Sequence, residues 1–350
     1  QNIPLQMAML DYYLMQGMDS LYEVTRDSIL YAPNTETEKR VLLIQQMIQR
    51  MSSDSVEIDR ITERFERVAS IDSANVELLS MYAAFLDYTK RPQQKLQEIM
   101  SRVLAIEPDN EMATQWLLQY YAVGRDYRSL EEICRRGINY HPEEIVYSYF
   151  LGMILYEGAK YDEALETLDK GLKMRSSETR LAMVSDAFTI KGDVYYKMER
   201  YHEAFEDYDS ALVYNKDNIL CLNNYAYFLS LRNENLDKAE EMSYRTIKAE
   251  PDNKTYLDTY AWILFQQGKF ADAQRYMDKV VPRDSTEEFL MKDEHTTSAI
   301  LEHAADVAWM NGDAQWAIHL WQLAVKRGDA DATPMLNKKA RKKKYYPLKK

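Results

Sequence analysis

The feature that most limits what this chain can fold into is a recurrence of small residues. Ala226 is answered by Ala261 and Ala239 by Ala273, 35 and 34 residues further on. Within one such unit a small residue stands where two helices must approach closely, an aromatic follows in the turn, and an Ala returns twelve positions later on the second helix. Gly152, Tyr161 and Ala164 show this, as do Gly192, Tyr201 and Ala204. Ala261, Phe270 and Ala273 repeat it, and Ala305, Gly312, Ala317 and Ala324 carry the last unit. A period of this size marks a supersecondary unit that cannot bury its apolar face alone and must stack on its neighbours. The spacing therefore predicts an all-α array of helical hairpins.

The signals sharpen along the chain. Residues 1–76 read as divergent hairpins: one is broken near Gly17 and closed at Ala32-Pro33-Asn34, and the next has apolar stripes through Val41, Ile44 and Ile48, then Ile61, Phe65 and Val68. Residues 77–327 read as the array proper. Pro108 and Pro142 each stop a second helix and aim the chain into the next unit. Gly192 comes about six residues later than the repeat requires, so the helix ending near Met174 is expected to run on by an extra turn. Val281 to His295 reads as a longer loop. Thr333-Pro334 is a helix start, and residues 333–350 form a basic capping helix and tail.

Charge is uneven. Residues 338–350 hold eight Lys or Arg and no acid, leaving residues 1–337 with 36 basic against 56 acidic side chains, a net −20. So acidic a body lacks the surface that phosphate contacts demand, which argues against a general nucleic-acid binder. No apolar run approaches the ~18 residues of a membrane span. Cys134 and Cys221 stand on different hairpins and read as small buried residues, not as a disulfide or metal site.

In such an array the first helix of each hairpin makes the inner face. The spacing places Tyr149, Met153, Tyr156, Tyr196, Asn223, Tyr227, Asp258, Trp262, Phe265, Glu302, Asp306 and Trp309 there. Aromatics on a concave wall suit an extended peptide or partner helix. The expectation is a non-catalytic interaction scaffold with a protein or peptide partner, no cofactor and no metal. The rival is a ligand- or metal-binding accessory module using His303, Asp306 and Trp309, although two ligands without a third make a weak metal site. The plain alternative for His303 and Asp306 is a solvated or groove-lining role. No catalytic constellation emerges.

Small residue, aromatic nine positions later, Ala three after that, and a closing Pro-Asp-Asn together resemble the tetratricopeptide repeat. The resemblance covers most of the chain and weakens before Glu77. It implies a right-handed superhelix of about eight hairpins with a C-terminal capping helix. More narrowly, Leu222-Asn-Asn-Tyr-Ala-Tyr, Leu236-Asp-Lys-Ala-Glu-Glu and Tyr256-Leu-Asp-Thr-Tyr-Ala-Trp resemble the C-terminal part of large tetratricopeptide proteins of Bacteroidetes. That resemblance implies export to the periplasm or outer membrane, with cytoplasmic residence as the alternative, and Asp-Ser triplets at Asp19, Asp27, Asp54, Asp72, Asp209 and Asp284 as O-glycosylation candidates. Where relatives that clamp acidic C-termini carry Lys, Arg and Asn, this chain has mostly Tyr, Asn, Asp and Thr, so a basic or neutral apolar ligand fits better. The apolar start from Gln1 to Leu10, set against a charged end, carries the expectation of further repeats upstream or of self-association through that face.

Overall fold

The structure, a computed structural model, describes residues 2–52, 54–328 and 334–346, and among them there is no strand. The chain divides into two compact units, Gln1–Leu151 and Gly152–Lys350. The first holds α1 (Ile3–Met15), α2 (Asp19–Tyr31), α3 (Thr37–Arg50), α4 (Ser55–Ile71), α5 (Val76–Tyr88), α6 (Gln93–Ile106), α7 (Glu111–Gly124) and α8 (Tyr127–Tyr140). Helix α9 (Ile145–Glu157) begins there and ends in the second unit. The second continues with α10 (Tyr161–Met174), α11 (Leu181–Lys197), α12 (Tyr201–Tyr214), α13 (Ile219–Arg232), α14 (Leu236–Ala249), α15 (Lys254–Gln266) and α16 (Phe270–Val280). It closes with α17 (Glu287–Lys292), α18 (Ser298–Met310), α19 (Ala314–Arg327) and α20 (Pro334–Lys342). Taken in order, α1 to α16 and α18 with α19 make nine hairpins among the described residues, two of them complete before Glu77.

Two local devices cut the chain into these pieces. Each closing Asn caps the next first helix: Asn75, Asn110, Asn218 and Asn253 accept from Leu78, Ala113, Cys221 and Tyr256 N–H at 2.8, 3.0, 3.0 and 3.3 Å. In eight of the nine hairpins the turn then passes, among the described residues, through a left-handed residue, Gly at 17, 268 and 312, but Lys90, Arg125, Ala159, Glu199 and Asn233 elsewhere, with Asn235 a second in the α13–α14 turn. Those non-glycine turns are held by the same backbone bonds onto the helix end, such as Arg91 N–H to Leu86 O at 2.9 Å and Lys160 N–H to Leu155 O at 2.8 Å.

The small residues are contact points. A Cβ on Gly152 would lie 2.6 Å from the Leu168 side chain, and one on Gly192 would lie 2.6 Å from the Tyr208 ring. Ala164, Ala204, Ala239 and Ala273 are fully buried. Long-range links tie neighbouring hairpins: Arg102 donates to Ala69 O at 2.9 Å and Arg136 to Leu104 O at 3.2 Å. Each neutralises carbonyls left unpaired at the end of the preceding second helix.

Two expectations need correction. The surplus before Gly192 does not lengthen the helix ending at Met174. It forms a turn in which Glu178 N–H bonds Ser176 Oγ at 3.1 Å, followed by a 17-residue α11. Ser176 stops the chain because its hydroxyl offers the backbone a partner that a helix would not. The stretch from Val281 to His295 is not all loop but contains α17, anchored by a fully buried Leu290. Helix α20 begins at Pro334 as expected and ends at Lys342, while the proposed capping residue Thr333 and the last four residues lie outside the described residues.

Candidate functional site

Of the residues the sequence places on the inner face, Tyr149 in the first unit is half-buried. In the second unit Tyr156, Tyr196, Tyr227 and Trp309 are half-buried as well. Asn223, Asp258, Trp262 and Phe265 are buried, at 6%, 5%, 3% and 5% exposure. They belong to the interior of the second unit and offer no open wall in the chain as it stands.

What buries the last two is aromatic stacking and the C-terminal segment. Trp262 lies on Phe265 with ring centroids 4.9 Å apart and on His303 at 4.0 Å, 18° from parallel. Beyond α20 the backbone turns at Lys343, which is left-handed. The Tyr345 ring then meets Phe265 edge-on at 6.2 Å. Helix α20 itself packs on α19 and sends Lys339 inward, to 1% exposure, where its Nζ reaches Asp306 Oδ2 at 2.5 Å and Glu302 Oε1 at 2.8 Å. Burial lifts the Asp306 carboxyl to about 6 although the Lys339 charge pulls it down. Tyr345 rises to about 12 through burial and the Asp306 charge.

His303 and Asp306 are therefore neither solvated nor groove-lining. His303 Nδ1 sits 3.0 Å from Asp258 Oδ2; burial draws its pKa down, and the charge of Asp258 and its hydrogen bond outweigh that, for a net rise. Asp306 takes Trp321 Nε1–H on its other oxygen at 2.9 Å. The two side chains point to different partners and do not converge, and no cluster of three or more His, Cys, Asp or Glu suited to a metal occurs among the described residues.

The sequence reading missed that Asp306–Trp321 has a twin. Asp193 follows Gly192 as Asp306 follows Ala305, and Tyr208, also fifteen residues on, donates its hydroxyl to Asp193 Oδ1 at 2.5 Å. Asn224 Nδ2 donates to the same carboxylate at 3.1 and 3.2 Å, and burial raises it to about 7. At the equivalent positions α13 and α15 carry Tyr227 and Trp262 with Met242 and Met277 fifteen residues later. Aligning the units on their small residue would have exposed both pairings. Cys134 and Cys221 are fully buried, each raised to about 12 by burial, as small core residues would be.

The comparisons with known proteins agree with this geometry. The sequence profile of the family described as Tetratricopeptide repeat matches residues 185–218, which run from α11 to the cap of α13. A TPR repeat-containing protein of Pseudomonas aeruginosa is 28% identical over 122 residues, which are 35% of this chain. The match spans about a fifth of that relative's length, 20%. A tetratricopeptide repeat protein of Parabacteroides merdae superposes with a TM-score of 0.52 at 15% identity, covering 77% of this chain and 98% of that one. A chain of the APC/C hetero-tetramer Cut9–Hcn1 superposes with a TM-score of 0.57 at 10% identity, over 93% of this chain and 64% of that one. At such identities the structural likeness speaks for the fold alone. Repeat spacing, capped hairpins, small-residue contacts and these matches together show a tetratricopeptide-repeat fold, with one repeat, residues 185–218, matched by sequence as well.

Proposed function

We propose that the chain is a non-catalytic scaffold whose first-helix wall holds a partner segment carrying basic and aromatic side chains. The observation that carries this is the C-terminal segment itself. Lys339 fills an acidic site on α18 and Tyr345 an aromatic one on α15, so the wall already receives a segment of that chemistry from its own chain. Tyr156, Tyr196, Tyr227 and Trp309 keep part of their surface and extend the same chemistry along the second unit. The non-catalytic part rests on the titratable groups: His303, Asp258, Asp306 and Asp193 are each engaged by a structural partner.

The test is a peptide array probed with the purified chain. Retained peptides should be enriched in Lys or Arg together with Tyr, Phe or Trp, and Tyr196→Ala and Tyr227→Ala should lose them while melting as the parent does. Retention of acidic peptides, or variants that bind unchanged, would refute the reading. An envelope location belongs to this proposal through the narrower sequence resemblance. Asp54 and Asp72 stand at the two ends of α4 and Asp284 in a turn, whereas Asp27 and Asp209 lie inside helices. Native protein of unmodified mass recovered from the cytosolic fraction would remove that part.

A further inference from the structure

The first unit contains a cavity of about 680 Å³ at the turn end of α5, α6 and α7, within the range of small-ligand and side-chain sites. Its apolar side is Trp116 stacked on Tyr120, centroids 5.2 Å apart and 15° from parallel, with Tyr121 edge-on to Tyr120 at 5.5 Å. Its polar side is Asp87 from the end of α5 and Asp126, the N-cap of α8. No Lys or Arg lines it.

Elsewhere several of this chain's aromatics lie under its own cations. Arg67 lies 3.9 Å from the Tyr31 centroid, Arg232 3.9 Å from Tyr201, Lys238 4.4 Å from Tyr225 and Lys338 4.0 Å from Tyr346. Among the described residues none covers Trp116, Tyr120 or Tyr121, and neither Asp87 nor Asp126 has a Lys, Arg or His within ion-pair distance. Asp126 accepts from Ser129 N–H at 3.2 Å, and that bonding holds its carboxyl below the usual range, so it is charged at neutral pH. A stacked indole and phenol beside two carboxylates that no cation pairs directly, the nearby Arg128 pairing with Glu132 at 3.7 Å and only adding its charge to what lowers Asp126, is an arrangement that attracts positive charge from both the ring faces and the acids.

From this we infer that the cavity is a binding site for a lysine or arginine side chain presented by a basic peptide segment of a partner protein. Charge complementarity selects the ligand: the cavity is open to solvent, carries only acidic charge, and belongs to a body of net −20. The proposal stands apart from the first-helix wall of the second unit, since its residues all lie between 87 and 126.

The experiment follows the indole resonance of Trp116, assigned with Trp116→Phe, while the full chain is titrated with acetyl-trilysine amide. The resonance should shift saturably, and the shift should weaken with added salt. In Asp87→Asn/Asp126→Asn the half-saturation point should rise on the order of fivefold. Asn keeps the cap on α8, so the double variant removes charge without removing the helix start. Acetyl-triglutamate amide should leave the resonance in place. An unmoved Trp116, an equal response to triglutamate, or unchanged affinity in the double variant would overturn the proposal. A shift with tetramethylammonium but none with trilysine would overturn it too, by assigning the site to a small quaternary amine. Failure of the groove reading would leave this result untouched, because that reading predicts nothing at Trp116.

Discussion

The two units are built from the same hairpin but finish their interiors differently. Among the described residues the first buries five polar or charged side chains, Arg26, Thr35, Arg40, Thr114 and Ser148, whereas the second buries seventeen. Conversely, the first leaves many large apolar side chains exposed, among them Met15 at 82%, Val24 at 69%, Tyr88 at 74% and Val123 at 80%. Of the two buried arginines of the first unit, Arg40 leans mainly on backbone, at 3.1 Å from Leu30 O and 2.8 Å from Ala32 O with Asp72 at 3.5 Å, and Arg26 pairs with the half-buried Asp27 at 3.0 Å. The buried lysines of the second, Lys191 and Lys339, each lean on two carboxylates. A stack of helices can thus be closed with few buried polar pairs or with many. The second choice makes a unit more sensitive to single atoms and to pH, because an unpaired buried charge costs far more than a lost methyl.

The largest test of that contrast is Lys339→Met. It strands Asp306 at 1% exposure, and the second unit should lose about 3–5 kcal/mol at pH 7.5. The loss should shrink at pH 5.5, where Asp306 can take a proton. Unit-resolved hydrogen exchange measures this, and an equal loss at both pH values would break the argument.

Next come the glycines. Gly192→Ala pushes the Tyr208 ring, which its hydroxyl pins to Asp193, so the cost should reach about 3 kcal/mol. Gly137→Ala pushes Tyr147 in the first unit, where a Cβ would come within 2.3 Å of the ring. The Tyr147 hydroxyl has no hydrogen-bond partner among the described residues to lose, so about 1–2 kcal/mol is expected. The reverse order in thermal melts would contradict the claim that polar pins stiffen the second unit.

The pH dependence should differ between the units. Burial raises Asp193 to about 7 and Asp207 and Asp306 to about 6. Between the ordinary 3.8 and those values the folded chain holds protons that the unfolded chain has released, so these groups make stability fall as pH rises through that window. His303, raised above 6.5, adds stability below that pH that is lost as pH climbs through its folded value, the same direction. Carboxylates that move the other way and act as pH falls occur in both units, Glu57 and Asp126 in the first, lowered chiefly by hydrogen bonds from Ser52 and Ser129, and Asp293 in the second. The units differ in the raised carboxylates, which among the described residues only the second has. Asp193→Asn should therefore flatten the profile of α11 and α12. An unchanged slope would show that Asp193 is ionised throughout.

The smallest effect belongs to the exposed apolar side chains of the first unit. Met15→Ser and Val123→Ser should change stability by less than about 0.5 kcal/mol. A larger drop would mean these positions are core after all.

Much of this was legible in the residues. Gly152, Gly192, Ala204 and Ala273 marked the helix crossings because only a missing or minimal side chain lets two backbones approach that closely, and Pro108 and Pro142 marked the ends of second helices because Pro cannot continue a helix. Such signals repeat with the period and act between neighbours, so one unit explains the next. The fate of Asn223, Asp258, Trp262 and Phe265 was not legible. Their spacing puts them on first helices, but whether a position there is wall or interior depends on what lies over it. Tyr345 reaches Phe265 across 80 residues and Lys339 meets Asp306 through a helix that carries no repeat signature. The open Trp116–Tyr120 pair likewise depended on which aromatics the chain's own cations happened to reach. The sequence by itself determined the hairpins and their stacking, since those follow from local periodicity and volume. Tertiary structure alone decided which inner-face residues stay available, because long-range charge pairing and stacking obey no period.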